Sequence, residues 1–417
     1  MTDTASIHRL LEETVRRERG WLISSLVARL GPGQLDLAQD VAQDAIVKAL
    51  STWPYKGVPD NPRAWLRRVA GNAAIDRVRR SVKELGLEDT WDMTAPSEDV
   101  ITPSLSDPEL DLMVLCCDPV LAPQDQLILA LKTVCGFTAA ETSALLFVSE
   151  DALSQRLARS KRHLRTLSGD LARFPTRFAL QQRLPLLLRI IYLMFAWGYL
   201  PRRGTALIRE DLCREAIRLS EGLMLHAPET APGHHALHAL LLLQFARSPS
   251  RFADQGRLIP LDQQDRAKWD QDMIQDGMRH LRAAQSSPGL TRYHFEAGIA
   301  SLHARSVTWE DTDWNSIARL YELLSEHAPS LAVQVNWAVA MIMRGKLDEA
   351  ERLLDQVSAD KATQAFTGYH LARHRLASTK GDTARAKATL EQARSCMNSD
   401  AVDQFLADQW QLYEGAP

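Results

Sequence analysis

The chain has 417 residues, 45% of them hydrophobic and 24% charged, with 20 Gly, 19 Pro and only 6% aromatics. That length holds several domains of ordinary size, and the composition is that of a folded chain; it excludes a disulfide mini-protein, a fibrous chain and a disordered one. The net charge of −3 averages over unlike segments: Lys+Arg minus Asp+Glu is +4 for residues 1–80, −8 for 81–114, +1 for 115–174 and 0 for 175–417.

Nearly every periodic segment carries apolar residues at i, i+3, i+4 and i+7, and no run alternates as a β-strand does, so the expected fold class is all-α. Asp36 to Leu50 reads as an amphipathic helix. Its Asp40, Gln43 and Asp44 make one acidic stripe, with Lys48 a turn further on, beside an apolar stripe of Val41, Ala45 and Ala49. From Asn61 to Arg80 the chain reads NPRAWLRRVAGNAAIDRVRR, with Arg63, Arg67, Arg68, Arg77, Arg79 and Arg80 against the single acid Asp76. So basic a helix, with Trp65 and Asn72 interleaved, suits phosphate contact together with stacking and hydrogen bonding to an exposed base. The bland alternative is that Trp65, Leu66, Val69 and Ile75 are core and the arginines only solubilise the other face.

Residues 81–114 hold nine acids against Lys83, with Pro96, Pro103 and Pro108 interrupting any long helix, and read as an acidic linker. Beyond it, Thr138-Ala139-Ala140-Glu141 has the S/T-x-x-E form that starts a helix, expected to end near Leu146. Phe147-Val148-Ser149 is then a turn, and Ser149 the N-cap of a second helix at 150–165 whose inner face is Leu153, Leu157 and Leu164. Its other face carries Ser154, Gln155, Ala158, Arg159 and Arg162, and five cations with no acid lie between Ser154 and Thr166. This is the pattern of a helix-turn-helix whose second helix enters the major groove: Gln and Arg reach base edges while Arg156, Lys161, Arg162 and Arg165 meet phosphates.

A second join is expected near Phe174-Pro175. In the long neutral half that follows, Gly345-Lys346-Leu347-Asp348-Glu349-Ala350 recurs as Gly381-Asp382-Thr383-Ala384-Arg385-Ala386, both Gly and both Ala 36 residues apart. Ala216 to Pro228 and Ile317 to Pro329 end alike, in His-Ala-Pro. A period near that of tetratricopeptide repeats predicts a helical-hairpin solenoid with a groove suited to peptides or helices.

The order of these parts resembles bacterial sigma factors of the extracytoplasmic-function class, and over nearly the whole chain the subgroup with a C-terminal tetratricopeptide-like extension. Residues 1–80 resemble sigma region 2, 81–114 the linker, 115–174 region 4 and 175–417 the helical regulatory extension. The most specific match is GRLIPLDQQDRAKWD at 256–270, similar to a pattern G-x-L-x-x-L-x-x-Q-D-R-x-x-W-D, with His303-Ala304 and Thr312-Asp313-Trp314 fitting the same family. The chain departs from it at Ala196-Trp197, where Asn-Glu is common, and at Asp118, where His is common. The resemblance implies a non-enzymatic promoter-specificity subunit without cofactor. Asp40, Gln43, Asp44 and Lys48 would face core RNA polymerase, whose β′ clamp and β flap are the implied contacts. Promoter DNA would meet Arg63, Trp65, Arg67, Arg68, Asn72, Asp76, Arg77 and Arg80 at the −10 element, and Ser149, Ser154, Gln155, Arg156, Ala158, Arg159, Lys161 and Arg162 at the −35 element. The acidic linker would occupy the basic RNA path of the polymerase before transcript arrives. The regulatory domain would carry Gln264, Asp265, Arg266, Trp269 and Asp270, and a protein or peptide partner.

Other features weigh less. The five Cys, at 116, 117, 135, 213 and 396, lack a CxxC spacing, and MTDTASIHRL lacks a basic-then-apolar leader, so reduced thiols in the cytoplasm are expected. Cys116 and Cys117 sit in an apolar run and are expected to be buried and structural. The longest apolar stretch, Leu184 to Leu200, has only 17 residues and holds Arg189, which predicts a buried helix and no membrane contact. His234, His235 and His238 have ligand spacing but no acidic or Cys partner nearby, so no metal is expected. Asp265 with Arg266 is expected to form an ion pair holding a loop against the solenoid; an active-site acid pair of a hydrolase is the alternative. A polymerase-independent helix-turn-helix regulator with a peptide-sensing solenoid is the other reading, but it has no need of the 61–80 segment or the acidic linker.

Overall fold

The computed structural model describes residues 18–84, 107–166, 177–200, 208–226, 233–253, 258–286 and 289–396. The centre of the acidic linker, the join at Phe174-Pro175, Ala227-Pro228, and Gly256 with Arg257 lie outside them. The fold is all-α: the described residues contain no strand, only the isolated bridge between Phe252 and Leu258. Among them no helix is long and apolar enough to cross a membrane.

The chain forms two compact units. The first takes Met1–Trp197 and Arg214–Pro228. It begins with α1 (18–30), α2 (Leu35–Lys56) and α3 (Pro62–Glu84). The apolar stripe of α2 is its buried side, from Leu35 through Ala38, Val41, Ala45 and Ala49 to Trp53. On α3 the buried residues Leu66, Ala70 and Ala74 recur every four positions, which is the helical period. The small residues on both helices allow α2 and α3 to pack closely.

Both ends of the stretch expected to be an irregular linker are helical. α3 runs on to Glu84, and Pro108 opens a helix instead of interrupting one: at the first position of α4 (Pro108–Cys116) its missing N–H is no loss, and Asp107 caps the helix by accepting from Glu109 N at 2.9 Å. Three of the linker's acids are thereby committed to the fold. Asp111 is buried, and Glu109, also buried, is clamped with Asp107 by Arg218 of α9 (Glu210–His226), which also holds Glu215. Burial and the neighbouring Glu215 push the Glu109 carboxyl well above its usual range.

α5 (Pro123–Thr133), α6 (Ala139–Leu146) and α7 (Glu150–Thr166) follow, packed on one another. Leu153 and Leu164 of α7 are buried, as is nearly every residue of α5 from Gln126 to Leu131. Cys116 and Cys117 are buried free thiols, and burial raises both, Cys117 to about 12. The apolar stretch expected as a buried helix is α8 (Arg177–Tyr199), with Pro185 inside it; Leu184, Leu187, Ile191 and Met194 are buried.

The second unit takes Gly198–Cys213 and Glu229–Pro417. α10 (His234–Phe245) is buried on all sides, and it packs on α11 (Gln271–Ala284) and α12 (Arg292–Arg305). From there α13 (Trp314–His327), α14 (Leu331–Met343), α15 (Leu347–Val357), α16 (Lys361–Gln364), α17 (Thr367–Thr379) and α18 (Thr383–Ser395) stack in succession, α14 also meeting α17. One core joins α12, α13, α14, α15 and α17, from Ile299 and Ile317 through Ala338 and Leu354 to Leu376.

The 36-residue echo has a structural basis. Gly345 follows α14 and Gly381 follows α17, with φ of 74° and 76°, the left-handed turn that only glycine adopts without strain. Ala350 and Ala386, one turn into the next helices, have no exposed surface, because the neighbouring helix leaves room for nothing larger.

Candidate nucleic-acid interface

Asp40, Gln43, Asp44 and Lys48 all lie on the exposed side of α2. They are not isolated from the basic helix: Arg77 of α3 donates to Asp44 at 2.5 Å and stands 3.6 Å from Asp40. α3 is started by Asn61, whose Oδ1 accepts from Ala64 N at 2.9 Å. Trp65 is half-buried and meets Trp53 edge to face, ring centroids 5.3 Å apart, so this indole serves packing as well as any base. Arg63 is anchored by Glu18 at 2.5 Å and lies over the Trp21 ring at 4.6 Å. Arg67, Arg68, Asn72, Asp76, Arg79 and Arg80 are exposed, and they form the open basic stripe of the first unit.

The two helices of the 138–166 segment start as their sequence dictates. Thr138 and Glu141 form both halves of a capping box, Glu141 N donating to the threonine hydroxyl at 3.1 Å and Thr138 N to the carboxylate at 2.7 Å. The turn closes through Phe147, which takes the left-handed conformation and is 95% exposed. Ser149 Oγ accepts from Ala152 N at 3.3 Å and so opens α7. Ser154, Gln155, Ala158, Arg159 and Arg162 then lie on one exposed face.

The remaining α7 cations are engaged within the unit, by acids far away in sequence that no local pattern reveals. Arg156 donates to Asp125 of α5 at 2.8 Å. Lys161 donates to Asp36 at 2.9 Å and to Gln39 at 2.5 Å, and Arg165 also pairs with Asp36, so α7 is tied to the start of α2. Burial alone would raise the Asp36 carboxyl, but hydrogen bonds from Arg165 and Lys161 outweigh it and hold the group below its ordinary value.

In the second unit the expected Asp265–Arg266 ion pair is not formed. Asp265 caps the following turn by accepting from Ala267 N at 3.1 Å, and Lys268 stands 3.8 Å from it. Arg266 instead donates to the carbonyls of His303 and Ser306 at 2.8 and 2.7 Å and approaches Thr312 Oγ1 at 3.3 Å. Adjacent residues on a turn point apart, and backbone carbonyls satisfy the guanidinium fork as well as a carboxylate does. Trp269 is buried between Arg266 and Arg247, 5.1 and 5.6 Å from its ring, and its indole N–H donates to Ser250 Oγ at 2.7 Å. Gln264 donates to Ile259 O at 2.9 Å, and Asp270 caps α11 through Met273 N at 2.9 Å. The motif therefore fastens a loop. The His pair of α10 gains a partner that sequence reading missed, His280 of α11, whose Nδ1 lies 3.0 Å from that of His235. Among the described residues no group of three or more His, Cys, Asp or Glu is placed to hold a metal ion.

Residues 14–84, the helices that carry the acidic and basic stripes, match the family described as Sigma-70 region 2. This segment supports a sigma-70 family factor, with a role in transcription initiation through core RNA polymerase and promoter DNA. Residues 183–285 match a family of unknown function, DUF6596. More particularly, the chain belongs to one family with an uncharacterised protein of Rhizobium meliloti (strain 1021), to which it is 33% identical over 366 residues, 86% of each chain. No solved structure matches it.

Proposed function

We propose that the chain is a sigma factor of the extracytoplasmic-function class, working in the cytoplasm and catalysing nothing, with its C-terminal unit a tetratricopeptide-like regulatory domain. The observation that carries this reading is the division of labour in the first unit. An exposed acidic stripe on α2 adjoins an exposed basic stripe on α3, and a separately capped helix pair offers the polar face of α7. The first suits the polymerase clamp, the second the −10 element, the third the −35 major groove. Ser154, Gln155, Ala158 and Arg159 would then read bases, and Arg162 would meet phosphate. Lys161 and Arg165 would do so only after leaving Asp36, so the free chain is held in a form that promoter phosphates must open.

The test is binding of the full chain to core polymerase and, in complex with it, to a forked promoter fragment. Asp40→Ala with Asp44→Ala should weaken polymerase binding, and Arg67→Ala with Arg68→Ala should weaken fork binding while polymerase binding persists. Loss of neither, with tight binding of the free chain to duplex DNA, would favour the polymerase-independent regulator.

A further inference from the structure

The second unit contains a cleft of about 250 Å³ whose walls come from the 260–262 turn, α12, α13, α14 and α17. We propose that it binds a small organic carboxylate with an apolar body, a site separate from every polymerase and DNA surface assigned above. Three observations support that chemistry.

The first is an unpaired ring nitrogen. His303, which lines the cleft, is only 9% exposed, and its Nδ1 is buried without a hydrogen-bond partner. Burial, helped by Arg247 and Arg266, lowers this imidazole to about 3, so it is a neutral ring with a nitrogen to satisfy.

The second is the sign of the local field. Arg247, behind His303, has no ion-pair partner among the described carboxylates: one Nη donates to Gln244 Oε1 at 3.2 Å, the guanidinium lies over Trp269, and its Nε is buried without a partner. Arg266 is satisfied by carbonyls, as described. Glu310 and Asp311 act favourably on the charge of Arg266, so the cation left without a carboxylate is Arg247, and its positive field favours an anion.

The third is a displaceable counter-charge. Arg375 of α17, 5.8 Å from the Trp309 ring, pairs with Asp262 of the turn across 113 residues of sequence, and both line the cleft. A ligand carboxylate would take the place of the Asp262 carboxylate on Arg375, with His303 and the exposed Asn336 amide within the same cleft. The indoles of Trp309 and Trp314, centroids 4.7 Å apart, and the side chains of Ile317 and Val339 supply the apolar wall. The volume suits a body of one or two side chains, which favours a small acid over a folded partner. Replacing Asp262 would also free the 258–270 loop from α17, which gives binding a structural consequence.

The test is titration of the full chain, by calorimetry and by tryptophan fluorescence, with a series of sodium carboxylates: acetate, hexanoate, octanoate, phenylacetate and 4-phenylbutyrate. Controls are 4-phenylbutyramide, which keeps the body and lacks the charge, and inorganic phosphate, which has charge and no body. The expected result is saturable binding that strengthens with the apolar body and is at least tenfold weaker for the amide and for phosphate. Arg375→Gln should weaken binding of the best carboxylate at least tenfold with little change in the thermal midpoint. Asp262→Asn should strengthen it severalfold, because the competitor is removed. Opposite signs from the two halves of one ion pair would not arise from damage to the fold. No saturable binding anywhere in the series, equal binding of acid and amide, or weakening by both variants would overturn the proposal. So would a twelve-residue peptide ending in phenylalanine that bound a hundredfold more tightly than any small acid, since the cleft would then be one end of a peptide groove. None of these readouts involves transcription, so they stand or fall apart from the promoter reading.

Discussion

Two sets of arginines, one in each unit, are used in opposite ways. On α3 and α7, Arg67, Arg68, Arg80, Arg159 and Arg162 stand in solvent, where a cation contributes little to folding and is free to meet a polyanion. In the second unit Arg247 and Arg266 lie against Trp269, Arg251 over Tyr199 at 3.8 Å, and Arg373 over Tyr369 at 5.2 Å, and their donors go to carbonyls, hydroxyls, amides and single carboxylates. The same residue type stands open to solvent at the first set of positions and is a fastening at the second. Net charge separates the two in part: residues 1–80 carry +4, whereas in the neutral 175–417 segment acids match the cations in number.

The sharpest way to break that contrast is to remove a fastening. Trp269→Ala takes away the buried ring shared by two guanidinium groups and should cost the second unit about 3–5 kcal/mol in denaturant unfolding of the full chain. A loss under 1 kcal/mol would mean that the 258–270 loop does not hold that unit.

Acid should act on the same unit. His238 and His303 are both lowered to about 3 by burial first, then by His280 and its neighbours for His238 and by Arg247 and Arg266 for His303. The native rings stay neutral while the unfolded chain takes up protons below about pH 6.5. Their contribution is therefore fully present above pH 6.5 and is lost as pH falls toward 3. Between pH 7.5 and 5.5 the two together should cost about 3 kcal/mol. Chemical denaturation at both pH values checks this, and His238→Asn should remove about half of what these two rings contribute.

On α7 the contrast can be tested between neighbours. Arg159→Ala should relax discrimination at one −35 position by about 1–3 kcal/mol and leave folding untouched. Arg156→Ala, which loses Asp125, should cost about 1 kcal/mol of stability and shift binding to all sequences alike. Promoter competition beside thermal unfolding separates them; equal effects on matched and mismatched promoters from Arg159→Ala would remove its base-reading role. Asp36→Asn should free Lys161 and Arg165 and steepen the salt dependence of promoter binding by about one to two units of slope, which a titration from low to moderate salt would show. The smallest effect should be Gly381→Ala: at φ 76° a Cβ meets no neighbouring atom but the backbone is strained, for a loss of about 1 kcal/mol in thermal unfolding.

What could be read from the sequence was local. The Thr138–Glu141 box, the Ser149 cap and the stripes of α2 and α3 depend on residues near one another along one helix, and the Gly345/Gly381 echo is one local turn repeated 36 residues on. Their chemistry is complete in a short window. The Asp36–Lys161 contact spans 125 residues and Arg375–Asp262 spans 113, and surface charges so far apart have many equivalent partners until the fold selects one. Arg266 shows the converse failure. Its neighbour Asp265 was the obvious partner by proximity in sequence, yet the turn aims the guanidinium at the carbonyls that end α12. Proline was misleading for a similar reason: Pro108 interrupts a helix only from inside it, and at a first position it opens one.

As a promoter-specificity subunit, the full chain would confer promoter choice on core RNA polymerase. Run-off transcription by purified core polymerase on fragmented DNA from the source genome, with and without the full chain, tests it most directly. Discrete transcripts are expected that appear only with the chain, share upstream −10 and −35 elements, and fall away with Arg67→Ala and Arg68→Ala. Unchanged transcription in the presence of folded, polymerase-bound chain would contradict it.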